Sequence, residues 1–132
     1  MSKGPENTFI AAVHRHLPVG LYRMKNNNIY HAGIADVWYS GSKADLWVEY
    51  KFVKVPVRDS TVIDLGLSEL QKYWLRARFD EGRHVAVIVG SKDGGVWLPN
   101  ASWENAVTAK KFRELIRSRQ ELAQLIALRT NN

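Results

Sequence analysis

Ala35-Asp36-Val37-Trp38-Tyr39-Ser40-Gly41-Ser42-Lys43-Ala44-Asp45-Leu46-Trp47-Val48-Glu49-Tyr50-Lys51-Phe52 is the stretch that decides the architecture. Its flanks, 35–40 and 45–52, are rich in β-branched and aromatic side chains, and Gly41-Ser42-Lys43-Ala44 between them is a short polar turn. That composition predicts a β-hairpin. Successive side chains of a strand point to opposite faces. Leu46, Val48, Tyr50 and Phe52 therefore share one side of the second strand, and Trp47, Glu49 and Lys51 share the other.

Upstream of the hairpin, the spacing of Phe9, Ile10, Val13 and Leu17 predicts a helix over 6–17. Pro5 suits its first turn, and Pro18 with Gly20 ends it. Segments 20–25 and 29–31 read as extended, joined by a turn at Asn26-Asn27-Asn28. Downstream, 53–65 is irregular and long enough to be a mobile loop beside a site. A helix follows over 68–81, closed by Gly82. His84-Val85-Ala86-Val87-Ile88-Val89 is nearly continuous apolar sequence, as a strand buried on both faces requires. Gly94-Gly95 turns the chain into a short strand, 96–98. A last helix is expected over 109–128, with Phe112, Leu115, Ile116, Leu122, Leu125 and Ile126 as its apolar stripe. The step from strand 45–52 through helix 68–81 to strand 84–89 predicts a right-handed parallel crossover. No linker divides the chain, so one α/β domain is expected over 1–132, a mixed sheet flanked by helices.

The polar side of strand 45–52 carries the chemistry. Hydrolysis of a phosphodiester needs a deprotonated water, a stabilised phosphorus centre and an accommodated leaving oxygen. Carboxylates that hold magnesium, with a lysine beside them, meet those needs. Glu49 and Lys51 stand two residues apart on one face. Asp36, on the adjoining strand, supplies a second carboxylate, and the Tyr50 backbone carbonyl a third oxygen.

Gly33-Ile34-Ala35-Asp36 followed, thirteen residues after Asp36, by Glu49-Tyr50-Lys51 resembles the motif pair of the PD-(D/E)xK nuclease superfamily. The resemblance is to its VRR-NUC and small phage or archaeal junction-resolvase branch, and it covers about residues 6 to 98. Ala35 stands where the motif's name has proline. The resemblance implies a restriction-endonuclease-like fold and a magnesium-dependent DNA endonuclease, with manganese as a substitute ion and no nucleotide cofactor. It makes Asp36, Glu49 and Lys51 the catalytic set. It adds Glu6, matching an acid that such nucleases place before their first strand, and Gln71, matching a glutamine on the helix after the lysine.

Two of these residues have competing readings. Ser68-x-x-Gln71 is also a capping box, and Glu6 is also a first-turn acid favoured by the helix dipole. His14 and His16, two apart on a helix, do not face each other and are poor joint metal ligands; with Arg15 they are expected at phosphate or water. His31 and His84 have no evident partner. The five tryptophans are first of all core candidates, and Trp47 stands out because it shares the face of Glu49.

The formal net charge of +6 favours a polyanionic partner such as DNA. The last 25 residues hold six cations against two acids. Lys110 and Lys111 there, Arg15, and Lys43, Lys54 and Arg58 around the hairpin are the expected phosphate contacts. There is no cysteine, which excludes disulfides. No apolar run reaches the ~18 residues of a membrane helix, and Met1-Ser2-Lys3-Gly4-Pro5 has no apolar signal core. A cytoplasmic protein is expected, in the host cell if phage-encoded, without a membrane partner. One site per chain and two strands to cut imply a homodimer. The competing functions are a site-specific homing or restriction-like endonuclease and a non-catalytic DNA-binding protein.

Overall fold

The computed structural model describes residues 4–26 and 33–131. Five strands form one mixed sheet in the order β1 (Tyr22–Lys25), β2 (Val37–Ser40), β3 (Asp45–Phe52), β4 (Val85–Ser91) and β5 (Gly94–Pro99). Neighbours are antiparallel except β3 and β4, which run parallel with Glu49 beside Val87 and Lys51 beside Val89. The expected parallel pairing is present. It requires a crossover, and α2 (Glu69–Asp80) lies within that connection. The expected strand 29–31, most of the asparagine turn and His31 lie outside the described residues.

The alternation read from strand 45–52 sorts the core into two layers. Leu46, Val48 and Tyr50 pack with Phe9, Ile10 and Val13 of α1 (Pro5–His14) and with the C-terminal helix residues Leu122, Ala123 and Ile126. The reverse side meets a second cluster, in which Val85, Val87 and Val89 of β4 pack with Leu75 of α2, Trp103 and Phe112. All seven residues of β4 are buried, as its apolar run requires.

The C-terminal region differs from expectation. The single helix over 109–128 is two, α3 (Ala109–Leu115) and α4 (Arg119–Asn131). Ile116 is extended, and Arg117 exchanges two backbone hydrogen bonds with Gly95, one in each direction, at 2.8 and 2.9 Å. Ser118 then restarts the helix. Its hydroxyl accepts from Glu121 N–H, and the Glu121 carboxylate accepts from Ser118 N–H. Gly94 and Gly95 are needed at this crossing. Gly94 has φ +142°, and a Cβ there would lie 2.3 Å from the Arg117 carbonyl oxygen.

Candidate active site

The sheet brings the acid–acid–lysine set together where β2 begins and β3 ends. Asp36 immediately precedes β2, and its Oδ2 accepts a 3.0 Å hydrogen bond from Tyr50 N–H. That bond ties the carboxylate to the residue between Glu49 and Lys51. Glu49 is buried to 1% exposure, and Lys51 Nζ stands 3.6 Å from its Oε2. Glu6, half-buried in the first turn of α1, is close enough for its charge to affect Glu49 and to feel Asp36 and Lys51.

Crowding acids in a dry site disfavours their charged forms. Burial first, then the charge of Asp36, raises the Glu49 pKa from 4.5 to about 8, with Glu6 adding to the rise and Lys51 opposing it. Asp36 and Glu6 are also raised, each first of all by burial. Lys25, which no motif in the sequence singles out, belongs to this field: its charge lowers both Asp36 and Glu6, and its ammonium donates to Asn7.

Gln71 satisfies both of its competing readings. Its Oε1 accepts from Ser68 N–H at 2.9 Å, completing the capping box of α2, while its Nε2 donates to Glu49 Oε2 at 2.9 Å. The helix start and the buried carboxylate share one side chain. Ser68→Ala is expected to cost about 1 kcal/mol, the usual worth of an N-cap. Gln71→Ala is expected to cost about 2–3 kcal/mol, because it also strips a buried carboxyl of its donor. Chemical denaturation at neutral pH separates the two, and equal losses would reduce Gln71 to a cap.

The donor set suits a hard cation. Glu49 Oε1 is buried and, among the described residues, has no hydrogen-bond partner. Two further carboxyls with raised pKa values, Asp36 and Glu6, stand near Glu49, and all the donors are oxygens, the chemistry of magnesium or manganese rather than of a thiol or imidazole metal. Among the described residues no three acidic or imidazole side chains form a ready cage. Magnesium needs none, since it uses one or two carboxylates and completes its shell with water and phosphate.

Superposition gives the fold a relative. The chain is similar to Hjc of Archaeoglobus fulgidus, a Holliday junction resolvase from an archaeal hyperthermophile, with a TM-score of 0.54. The fold is that of a resolvase-type nuclease. Identity is 11%, over 89% of this chain and 99% of that chain, so the likeness is one of architecture. No family model and no curated protein matches the chain. The mixed α/β sheet flanked by helices is therefore the expected one.

The remaining candidates are dispersed. Arg15 is exposed at the end of α1, Lys54 and Arg58 are exposed on the loop after β3, and Lys110 and Lys111 are exposed on α3. Lys43 lies in the β2–β3 turn, at the opposite end of β3 from Lys51. At the rise of a strand, six residues separate those ends by about 20 Å. His14 departs from expectation: its Nε2 is 2.8 Å from the Tyr39 hydroxyl, which lies 2.6 Å from the Tyr50 hydroxyl. Burial, with Arg23 and Lys25 nearby, lowers the His14 pKa to about 4, so the ring stays neutral near pH 7. It braces the back of β3 instead of meeting phosphate. Among the described residues, no helix is long and apolar enough to cross a membrane.

Proposed function

We propose that this chain is a metal-dependent DNA endonuclease of the PD-(D/E)xK type, acting on branched DNA. The observation that carries the reading is the convergence of Asp36, Glu49 and Lys51 on one face of a resolvase-type sheet, with a buried Glu49 oxygen that has no hydrogen-bond partner among the described residues. Hjc is a Holliday junction resolvase, which supports a branched substrate over a uniform duplex. The acid spacing and the glutamine at the helix start support a place near the VRR-NUC branch.

Asp36, Glu49 and the Tyr50 carbonyl, with Glu6 behind them, would hold magnesium or manganese. When bound, the ion supplies Lewis acidity toward the phosphate and lowers the pKa of coordinated water. The chain does the rest. Tyr50 N–H fixes Asp36, Gln71 fixes Glu49, and the packed strand pair holds both within a narrow range of positions. Lys51, about one-fifth exposed, reaches solvent from beside Glu49 and can neutralise the scissile phosphate and orient the attacking water. Exposed Arg15, Lys54, Arg58, Lys110, Lys111 and Lys43 would contribute diffuse phosphate attraction. A homodimer in the cytoplasm would deliver one site to each strand.

The test incubates purified protein with a four-way junction, linear duplex and supercoiled plasmid, in magnesium or EDTA. Magnesium-dependent cutting that favours the junction is the expected result. Sequence-specific cutting of duplex would select the site-specific endonuclease. Binding without cutting of any substrate would select the non-catalytic DNA-binding protein.

A further inference from the structure

The face of the sheet that carries Glu49 and Lys51 also carries a row of aromatic rings. Tyr22 of β1 contacts Trp38 of β2 with ring centroids 5.7 Å apart. Trp38 contacts Trp47 of β3 at 6.0 Å, and Trp47 contacts Trp74 of α2 at 5.3 Å. The Arg78 guanidinium, held by two hydrogen bonds to Glu81, lies 5.5 Å from the Trp74 ring centre. Register places the row. Trp38 pairs directly with Trp47, two residues before Glu49, and Tyr22 pairs with Ser40 on the same side.

A row that only closed the edge of the core would stop where the core stops. This one continues outward. Trp47 and Trp74 border the second core cluster, but Trp38 is half-buried beyond it, Tyr22 is 56% exposed and Met24 on the same side is 44% exposed. α1 and α4 pack on the opposite face, and on this one α2 lies over β4 and α3 over β5, away from β1 and β2. The Trp38 ring is also held in place, since its Nε1 donates to Asp45 Oδ2 at 2.9 Å. Flat rings fixed in this way suit stacking. Arg23 and Lys25 alternate with Tyr22 and Met24 and belong to the α1 face, where both act on His14 and Lys25 donates to Asn7. The open end of the row is therefore aromatic rather than cationic, and what ties it to a substrate is its continuity through Trp47 with the face of Glu49 and Lys51.

We propose that this row is a stacking platform for unpaired nucleobases, so that the substrate is DNA with a single-stranded segment at the branch rather than a fully paired junction. A duplex keeps its base faces stacked inside and cannot use such a surface, whereas each exposed base can gain stacking energy from a ring. A strand whose bases stack along the row runs inward from the exposed sheet edge across β2. The strand thereby reaches Trp47 and the neighbouring site. The link to cleavage rests on the nuclease reading; the binding does not.

The experiment measures binding in EDTA, where nothing is cut, with an oligothymidylate and a blunt duplex of equal length. Tyr22→Ser, Trp38→Leu and the double variant are compared with the unaltered chain, and circular dichroism checks their folding. The expected result is a loss of about tenfold in single-strand affinity for each single variant, with duplex affinity unchanged within about twofold. Equal losses for both ligands would reduce the row to a contact surface that does not distinguish single strand from duplex and overturn the inference, as would no loss for either. Sedimentation covers one more case. A dimer that the variants dissolve, with single-strand affinity intact, would overturn the inference and assign the face to a second copy. If Trp38→Leu fails to fold, Tyr22→Ser, an exposed position, decides alone. Ring-dependent binding by a protein that cuts no DNA would overturn the nuclease reading and leave the platform standing.

Discussion

Lys51→Ala is expected to lower the rate of junction cleavage by on the order of 10³-fold, while binding of the same junction in EDTA changes by less than about threefold. The asymmetry follows from position. Lys51 is mostly buried beside Glu49, whereas the other candidate phosphate contacts, Arg15, Lys54, Arg58, Lys110 and Lys111, are exposed and far more numerous. Ground-state attraction to a polyanion is spread over many cations and is lost gradually. Charge that develops at one phosphorus is met by one prepositioned group, and removing such a group typically costs 10²–10³-fold or more. Lys51→Arg is expected to recover little, because a planar fork cannot replace a compact ammonium in so tight a space. Single-turnover rates with the protein in excess isolate the chemical step. Cleavage within about threefold of the unaltered chain would remove Lys51 from the reaction and with it the motif assignment.

Much of this geometry is legible in eight residues. Period-two alternation in 45–52 is enough to put Glu49 and Lys51 on one side and Leu46, Val48 and Tyr50 on the other, and the core divides along that line. The burial of β4 is legible for the same reason, as a strand with two apolar sides has no alternation to show. The break between α3 and α4 is written in the sequence too, as Ser118-x-x-Glu121, but it lies inside an apolar stripe. The stripe persists because both helices bury their apolar sides. Only the pairing of Arg117 with Gly95, 22 positions away, shows why the backbone must straighten there. The hydroxyl chain from His14 through Tyr39 to Tyr50 is likewise a through-space contact, made when α1 docks behind the hairpin. Gln71 is a different case. The cap and the site look exclusive as uses of one side chain, yet the cap takes its oxygen and leaves its amide nitrogen free to reach Glu49.

Glu49→Gln is expected to abolish cleavage and yet to make the metal-free protein more stable above about pH 8. The buried carboxyl titrates near 8 in the folded chain, well above its ordinary 4.5, first because of burial and then because of Asp36. Below about pH 4.5 both folded and unfolded chains hold the proton, and the group leaves stability unchanged with pH. Between 4.5 and 8 the unfolded chain has released it and the folded chain has not, so stability falls as pH rises. Above 8 the loss is complete, on the order of 5 kcal/mol. Glutamine has nearly the same shape, can still accept from Gln71 Nε2, and carries no charge to bury. At about pH 8.5 in EDTA its unfolding midpoint should lie on the order of 10 °C above that of the unaltered chain, and the gap should close toward pH 4.5. Magnesium should reverse the order. A cation bound at the carboxyls favours their ionised forms and stabilises the folded state in proportion to its occupancy, so the unaltered chain should gain stability on addition of magnesium and Glu49→Gln should not. Thermal unfolding across pH, with and without magnesium, reads both effects without any DNA. A variant less stable than the unaltered chain at high pH would show that Glu49 is already ionised and balanced without a metal. The crowding of Asp36, Glu49 and Glu6 would then be a settled structural feature, and the case for a cation between them would fail.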